Sequence, residues 1–171
     1  MMFRKFIFGA VMATGLVGSG TAKADEDNAF VSFQVLKPEV ALQMAEAAMR
    51  SCRTAGYQVG VTVVDRFGIP QVFIRDRFAG IHVYETSRRK AWTAVSFRTS
   101  TTDLAVSTQA GEISSGIRHL TEALPLGGGL VVFEGGGSIV AGIGVSGAPG
   151  PELDDVCAEA GIAAIEDQIA F

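Results

Sequence analysis

A single histidine within an apolar stretch is the residue of this sequence best suited to cofactor chemistry. His82 lies in the segment 78–84, Phe-Ala-Gly-Ile-His-Val-Tyr, whose aromatic and aliphatic side chains could cover a porphyrin. One imidazole in an apolar setting can be an axial ligand of haem iron, and guanidinium groups can pair with the propionates. The basic residues near it in the chain are Arg75, Arg77, Arg88, Arg89 and Lys90. We therefore treat His82 as a candidate haem ligand, the alternative being a hydrogen-bonded structural role.

Other chemistries lack the residue spacing that they require. A phosphate-binding loop needs glycines between a strand and a helix, whereas Gly135–Gly137 falls between two predicted strands. Ser146 stands in Val-Ser-Gly and not in the GxSxG elbow of serine hydrolases. His82 and His119 are 37 residues apart, without the HExxH motif or paired cysteines of zinc sites. The glycines instead predict hairpin turns and close approach of another surface.

The first 24 residues have the pattern of a cleavable secretory signal. Basic residues at positions 4 and 5 precede an apolar run to about position 17, and Ala22-Lys23-Ala24 supplies the small-x-small cleavage site. The run is shorter than the about 20 apolar residues that span a bilayer, so a membrane anchor is the weaker alternative. We expect residues 25–171 to be a periplasmic or secreted domain without a membrane span.

The charge of the expected mature domain disfavours two classes of partner. Residues 25–171 carry 11 basic and 18 acidic side chains. Nucleic acids and anionic membrane surfaces attract proteins with an excess of basic residues. We therefore expect neither a nucleic acid nor an anionic membrane surface as the partner.

Cys52 and Cys157 are the only cysteines. Disulfides persist outside the cytoplasm, and neither cysteine belongs to a CxxC or a CxxCH motif. The sequence therefore favours a disulfide, with two buried free thiols as the alternative. The bridge would close a loop of 105 residues, which the chain-entropy model values at about 4.7 kcal/mol.

The hydrophobic pattern predicts an α+β fold. Residues 38–55 and 84–95 read as helices, and a further helix starts near 101–104. Two strand pairs surround turns, and the last segment reads as an amphipathic helix with Val156 and Cys157 on its apolar stripe. The predicted strands are 58–64, 71–75, 130–134 and 138–145, and the last helix is 152–169. The order helix, hairpin, helices, hairpin, helix predicts a single domain in which helices pack on the faces of an antiparallel sheet.

Four blocks of sequence resemble the GlcG/HbpS family. They are 61–68 (Val-Thr-Val-Val-Asp-Arg-Phe-Gly), 88–94 (Arg-Arg-Lys-Ala-Trp-Thr-Ala), 127–130 (Gly-Gly-Gly-Leu) and 142–148 (Gly-Ile-Gly-Val-Ser-Gly-Ala). The resemblance runs from about Pro38 to the C-terminus. It implies a profilin-like α/β sandwich, symmetric oligomers and haem binding, while other members accompany the oxidation of small alcohols and hydroxy acids. The sequence departs from the family pattern at 76–80 and 128–131, and the resemblance does not identify the haem ligand.

Three functions are compatible with these observations. The leading one is an extracytoplasmic, homo-oligomeric haem-binding protein for haem capture, carriage or redox sensing, with His82 as ligand and Arg75, Arg77, Arg89 and Lys90 near the propionates. The second is an accessory protein or enzyme of small hydroxy-acid, oxo-acid or alcohol oxidation, in which Asp65, Arg75 and Lys90 line an anion pocket. The third is a structural partner of a periplasmic dehydrogenase or sensor. Binding is favoured over catalysis, and the alternative for Asp65 and Lys90 is a turn-capping aspartate and a helix-surface lysine.

Overall fold

Two β-hairpins and a set of helices make up the part of the chain that the structure describes. The structure is a computed structural model, and it describes residues 29–171, so the predicted leader lies outside the described residues. Residues 33–171 form one compact unit, and residues 29–32 belong to an N-terminal unit and have no regular helix or strand. No helix within residues 29–171 is long and apolar enough to cross a membrane.

The elements follow the predicted order. Proline at the first position starts both α1 and α4, where its missing N–H and fixed φ suit a helix N-terminus. The α-helices are α1 Pro38–Thr54, α2 Val83–Phe97, α3 Thr101–Ser107 and α4 Pro151–Ala163. The strands are β1 Gly60–Asp65, β2 Pro70–Arg75, β3 Gly129–Phe133 and β4 Ile139–Ser146. Short 3₁₀ turns span Ser115–His119 and Glu166–Gln168.

The four strands form one antiparallel sheet in the order β2-β1-β4-β3. Each hairpin contributes an edge strand and a central strand, and the hairpins join through β1 and β4. In that pair Gly60 lies opposite Ser146 and Asp65 lies opposite Ala141. The beginning of β1 and the end of β4 therefore meet at one end of the sheet.

Successive residues of β1 face two different layers of helices. Val61 and Val63 belong to the main hydrophobic core, which residues of α1 and α4 complete. On the other face, Val64 packs with Ala91 of α2. Because side chains alternate across a strand, α1 and α4 cover one face of the sheet and α2 covers the other. This confirms the predicted fold of helices on both faces of an antiparallel sheet.

Two glycines of β4 allow α2 to lie close to the sheet. A Cβ added at Gly142 would come within 2.6 Å of Val95 Cγ1 and 3.0 Å of the carbonyl oxygen of Ala91. A Cβ at Gly144 would overlap the carbonyl oxygen of Ser87. These positions need glycine because a helix backbone occupies the space of a side chain.

The last helix is shorter than the sequence predicts. α4 ends at Ala163, and the next two residues donate hydrogen bonds to carbonyls three residues back, which tightens the final turn. This bend places Ile165 in the core and lets Gly135 N donate to the carbonyl of Ile169 at 2.7 Å. The prediction of one helix over 152–169 is wrong at its end because these tertiary contacts outweigh continuation of the helix.

The buried side of α4 also differs from the prediction. Val156, expected on the apolar stripe, is 55% exposed, whereas Asp154 is only 3% exposed. Cys157 does face the core and forms a disulfide with Cys52 of α1, with the two Cα atoms 5.4 Å apart. The disulfide thus joins the two helices that share one face of the sheet.

Candidate functional site

A cleft of about 400 Å³ lies where α2 begins, β4 ends and α4 begins. Its polar side chains are His82 from the residue before α2, Thr86 and Lys90 from α2, Ser146 from β4 and Asp154 from α4. The first three are spaced by four, and His82 has helical φ and ψ, so they lie on one face of α2 and its N-cap. We call this site the His82 cleft. Its volume is within the range of small-molecule sites, about 300–1,000 Å³.

Lys90 and Asp154 form a buried ion pair at this cleft. The ammonium of Lys90 lies 2.8 Å from Asp154 Oδ2 and also donates to the carbonyl of Val145 at 3.0 Å. The other carboxylate oxygen accepts from the N–H of Ala148 at 3.0 Å. Lys90 is 1% and Asp154 is 3% exposed. The expectation of a helix-surface lysine is therefore wrong, because the side chain reaches past the end of the sheet to bind the opposite layer of helices.

The protonation of this pair reflects two opposing effects. Burial raises the pKa of the Asp154 carboxyl, while the Lys90 ammonium and the Ala148 N–H favour the ionised form. Burial is the larger effect, and it acts because a carboxylate loses hydration when it leaves water. The carboxyl therefore takes up a proton more readily than an exposed aspartate.

Glycine makes room for the ion pair beside β3. Gly128 has φ +108°, and an added Cβ would lie 2.7 Å from Asp154 Cβ and 2.9 Å from Lys90 Nζ. The N–H of Gly128 donates to the Asp155 carboxylate at 2.6 Å. Gly128 thus allows the chain to pass over a buried charged group.

Hydroxyl groups line the wall of the cleft next to β4. Thr86 Oγ1 lies 2.6 Å from Ser146 Oγ and also donates to the carbonyl of His82 at 3.1 Å. Ser146 is therefore paired with a hydroxyl, which cannot act as the general base that a serine nucleophile needs. These groups suit recognition of a polar ligand better than acyl transfer.

His82 stands at the rim of the cleft as the residue before α2. A Cβ at Gly80 would lie 2.6 Å from His82 Cε1 and 2.7 Å from Nδ1, but 3.7 Å from Nε2. The ring therefore rests over Gly80 with Nε2 directed away from it. Its imidazole has no hydrogen-bond partner among residues 29–171. Two neighbouring apolar side chains are largely in solvent, Ile81 at 92% and Phe78 at 80% exposure.

The predicted basic partners separate into two groups. Arg75 and Arg77 are exposed, and the guanidinium of Arg77 lies 5.9 Å from the centre of the Phe78 ring. Arg75 shares a face of β2 with Phe73, whose ring meets Tyr84 of α2 at 4.7 Å. Arg75 therefore lies on the face of β2 that meets the start of α2, and Arg77 lies beside Phe78 in the β2–α2 loop.

Arg89 and Lys90 instead have partners within the protein, and Arg89 is partly buried while Lys90 is buried. The guanidinium of Arg89 donates to the carbonyls of Glu122 and Ala123 at 3.3 and 2.9 Å, and Lys90 is in the ion pair. Their placement differs from the expected cations free to meet a propionate. Both cations are hydrogen-bonded to groups that are more than 30 residues away in the chain.

Asp65 does not join the anion pocket expected for it. Its carboxylate accepts from the N–H groups of Phe67 and Ile69 at 2.8 and 3.0 Å, so it caps its own turn. Arg75 lies opposite Gly60, at the other end of β1. Asp65 and Arg75 therefore belong to different ends of the sheet. Across residues 29–171, no group of three or more His, Cys, Asp or Glu side chains could hold a metal ion.

Comparison with known proteins identifies similar chains. The family model described as "Haem degrading protein HbpS-like" matches residues 36–163. A double mutant of Streptomyces reticuli HbpS is 36% identical, with a TM-score of 0.75 over 85% of this chain and 94% of that chain. The structure described as a PduOC:heme complex is 32% identical, with a TM-score of 0.72 over 77% of this chain and 95% of that chain. Klebsiella pneumoniae protein ORFY is 27% identical, with a TM-score of 0.76 over 80% of this chain and 94% of that chain.

Two curated relatives are longer proteins. The corrinoid adenosyltransferase PduO of Salmonella typhimurium is 33% identical over 125 residues, which is 72% of this chain and 37% of the relative. PduO of Citrobacter freundii is 31% identical over 147 residues, 85% of this chain and 42% of the relative. The chain thus spans about two-fifths of the length of the curated relatives it matches.

Proposed function

Because the HbpS-like model matches most of its length, this chain belongs to the HbpS-like family of haem degrading proteins, and we propose that it binds haem around His82. The observation that carries the proposal is the surface at the start of α2. An imidazole without a hydrogen-bond partner among residues 29–171 stands there, close in the chain to the exposed side chains of Phe78 and Ile81 and to the exposed Arg75 and Arg77. The similarity to a PduOC:heme complex supports the same ligand class.

The residues of this surface fit the chemical requirements of haem. His82 Nε2 supplies a nitrogen donor for iron. Phe78 and Ile81 supply apolar surface for the porphyrin, and burying them against a ligand would remove a large hydrophobic area from water. Arg75 and Arg77 supply cations for the propionates. Bound haem would provide an iron centre for redox change or ligand exchange, while the protein positions the imidazole and the arginines.

A titration of purified protein with haemin tests the proposal. We expect a saturable shift of the Soret band that is lost or weakened at least about tenfold in His82→Ala. The matched control is His119→Ala, since His119 is also exposed but lies in a 3₁₀ turn that does not line the His82 cleft. Arg77→Gln should weaken binding by no more than about fivefold, because an exposed ion pair contributes up to about 1 kcal/mol. No saturable shift in the wild type, or equal effects of both histidine variants, would contradict the proposal.

The cellular location is part of the same proposal. The leader pattern of residues 1–24 and the Cys52–Cys157 disulfide both favour a site outside the cytoplasm. We expect the protein in the periplasmic or secreted fraction, with Asp25 at its N-terminus by sequencing. A cytoplasmic protein that retains Met1–Ala24 would refute this location. The proposed homo-oligomer is checked by native mass spectrometry of the same material.

A second candidate function uses the His82 cleft for a small hydroxy or oxo acid. The buried ion pair and the Thr86 and Ser146 hydroxyls favour it, because these groups could orient a polar ligand within about 400 Å³. Glycolate and pyruvate are suitable probes. They should raise the melting temperature of the wild type and not of Ser146→Ala, whereas haemin should be without effect. If haemin alone stabilises the protein, this candidate is wrong.

A further inference from the structure

A second cleft, of about 440 Å³, lies at the other end of α2. Its basic side chains are Arg66 from the β1–β2 turn and Arg98 from the end of α2, and Ser96 and Ser138 add hydroxyls. Its apolar wall consists of Val95, Phe133 and Ile139. We call it the arginine cleft. The two clefts lie toward opposite ends of α2, which is about 22 Å long at about 1.5 Å per residue over 15 residues.

Arg66 is held in place by aromatic stacking. Its guanidinium lies 3.9 Å above the centre of the Phe33 ring and 5.8 Å from that of Phe67. The two rings meet edge to face at 5.6 Å. Stacking leaves the edge of a guanidinium, with its N–H donors, free to bind in its plane. The cation is therefore orientated without a carboxylate partner.

Arg98 occupies a backbone conformation that arginine seldom adopts. It caps α2 with φ 56° and ψ 37°, and within residues 29–171 no other residue except glycines has a positive φ. Its N–H closes the helix on the carbonyl of Ala94, which glycine would do without the steric cost of the left-handed region. Such outliers concentrate at functional sites. The backbone of Arg98 caps the helix, whereas its guanidinium has no part in the cap.

The charge of the cleft is positive. Neither Arg66 nor Arg98 has an ion-pair partner within residues 29–171, and no carboxylate lines the cleft. The nearest acidic side chain in its β3–β4 turn is Glu134, which accepts from the N–H groups of Gly136 and Ser138 at 2.6 and 2.8 Å. Those bonds lower the pKa of Glu134 and hold its charge against its own turn.

We propose that the arginine cleft binds a small organic oxyanion. The guanidiniums of Arg66 and Arg98 would hold its carboxylate or phosphate group, because guanidinium geometry matches both in charge-assisted hydrogen bonds. Val95, Phe133 and Ile139 would contact an apolar body. Binding of the anion at this site does not depend on haem binding at His82.

Isothermal titration at low ionic strength, with four probes, tests this assignment. Benzoate and phenyl phosphate should bind saturably at one site per chain, and more tightly than acetate and inorganic phosphate, which lack the apolar body. The better of the first two identifies the preferred anionic group. Binding should weaken as salt is added, because screening reduces the attraction between exposed charges.

Three variants separate this site from general attraction of anions. Arg98→Gly removes the guanidinium and keeps the left-handed cap, so the variant should remain folded in a thermal melt. It and Arg66→Gln should each weaken benzoate or phenyl phosphate binding at least about tenfold, the effect of losing a charge-assisted hydrogen bond. Arg50→Gln is the control, since Arg50 is exposed on α1, and His82→Ala should also bind normally. No saturable binding, or equal losses in Arg50→Gln, would overturn the proposal.

Discussion

Removing the carboxylate of Asp154 should destabilise the protein strongly. At 2.8 Å from the Lys90 ammonium, the attraction is about 6 kcal/mol at an effective dielectric constant of about 20. Most of it offsets the lost hydration of two buried ions, so the intact pair adds little net stability. In Asp154→Ala the Lys90 ammonium is still buried and still loses its hydration, but the attraction of the carboxylate that offset this loss is gone. We expect a loss of about 3–5 kcal/mol.

Urea unfolding monitored by the fluorescence of Trp92, the only tryptophan, measures this loss. With a slope of about 2 kcal/mol per molar urea, the midpoint should fall by about 2 M. The control is Glu46→Ala, which removes an exposed ion pair with Arg50 and should cost less than about 1 kcal/mol. Urea should be used without reductant to keep the disulfide intact.

A double variant tests the reasoning behind the magnitude. Lys90→Met combined with Asp154→Leu removes both charges and should cost less than either single change, because no unpaired ion stays buried. Lys90→Met alone leaves a buried carboxyl whose pKa burial raises. Because the pKa of this carboxyl is higher in the folded than in the unfolded protein, its protonation stabilises the fold. This stabilisation is fully present below the unfolded pKa of about 4 and is lost as the pH rises through the folded pKa. That variant should therefore gain stability on acidification. A midpoint shift below about 0.5 M for Asp154→Ala, or a double variant equal to the sum, would refute the argument.

Three further predictions concern other contacts. The hydrogen bond that the guanidinium of Arg53 donates to Asp76 lowers the pKa of that carboxyl. The stability that the Asp76 carboxylate contributes is therefore present above its unfolded pKa of about 4 and lost as the pH falls through the folded pKa. The difference in free energy of unfolding between wild type and Asp76→Asn should shrink from pH 7 to pH 3 in urea titrations. Gly80→Ala should displace the adjacent imidazole and weaken haemin binding, whereas Gly116→Ala, which has open space around it, should not. Replacing Cys52 and Cys157 by serine should cost about 2–5 kcal/mol in thermal or urea melts, and unchanged stability would exclude a structural role for the bridge.

The sequence predicts the fold well because the decisive signals are local. β-branched runs around Asp65-Arg66-Phe67-Gly68 indicate the first hairpin, and helical spacing indicates α1 and α2. The cysteines could also be paired from sequence, since the expected export signal favours a disulfide and two cysteines allow only one internal bridge. The end of α4 is misjudged because Ile165 and Ile169 are placed by contacts with residues far away in the chain.

The candidate site is less accessible from sequence for the same reason. Lys90 and Asp154 are 64 residues apart, and each alone has the appearance of a helix-surface residue. Arg89 is likewise bound by carbonyls more than 30 residues away. One local signal was available, the four-residue spacing of His82, Thr86 and Lys90, which places them on one face of α2. That spacing identifies the face of α2 but does not show that this face meets Asp154 of α4.

The placement of α2 is what makes the two proposed sites possible on so small a domain. Gly142 and Gly144 let its backbone lie against β4, because the carbonyl oxygens of Ala91 and Ser87 reach into the space that side chains at these positions would fill. His82 is its N-cap residue, and Arg98 is its left-handed C-cap. A ligand at either end meets side chains whose backbone is fixed by the same packing. Since the ends are about 22 Å apart and no ion pair or hydrogen bond of the described residues joins His82 to Arg98, the two ligands should bind without excluding one another.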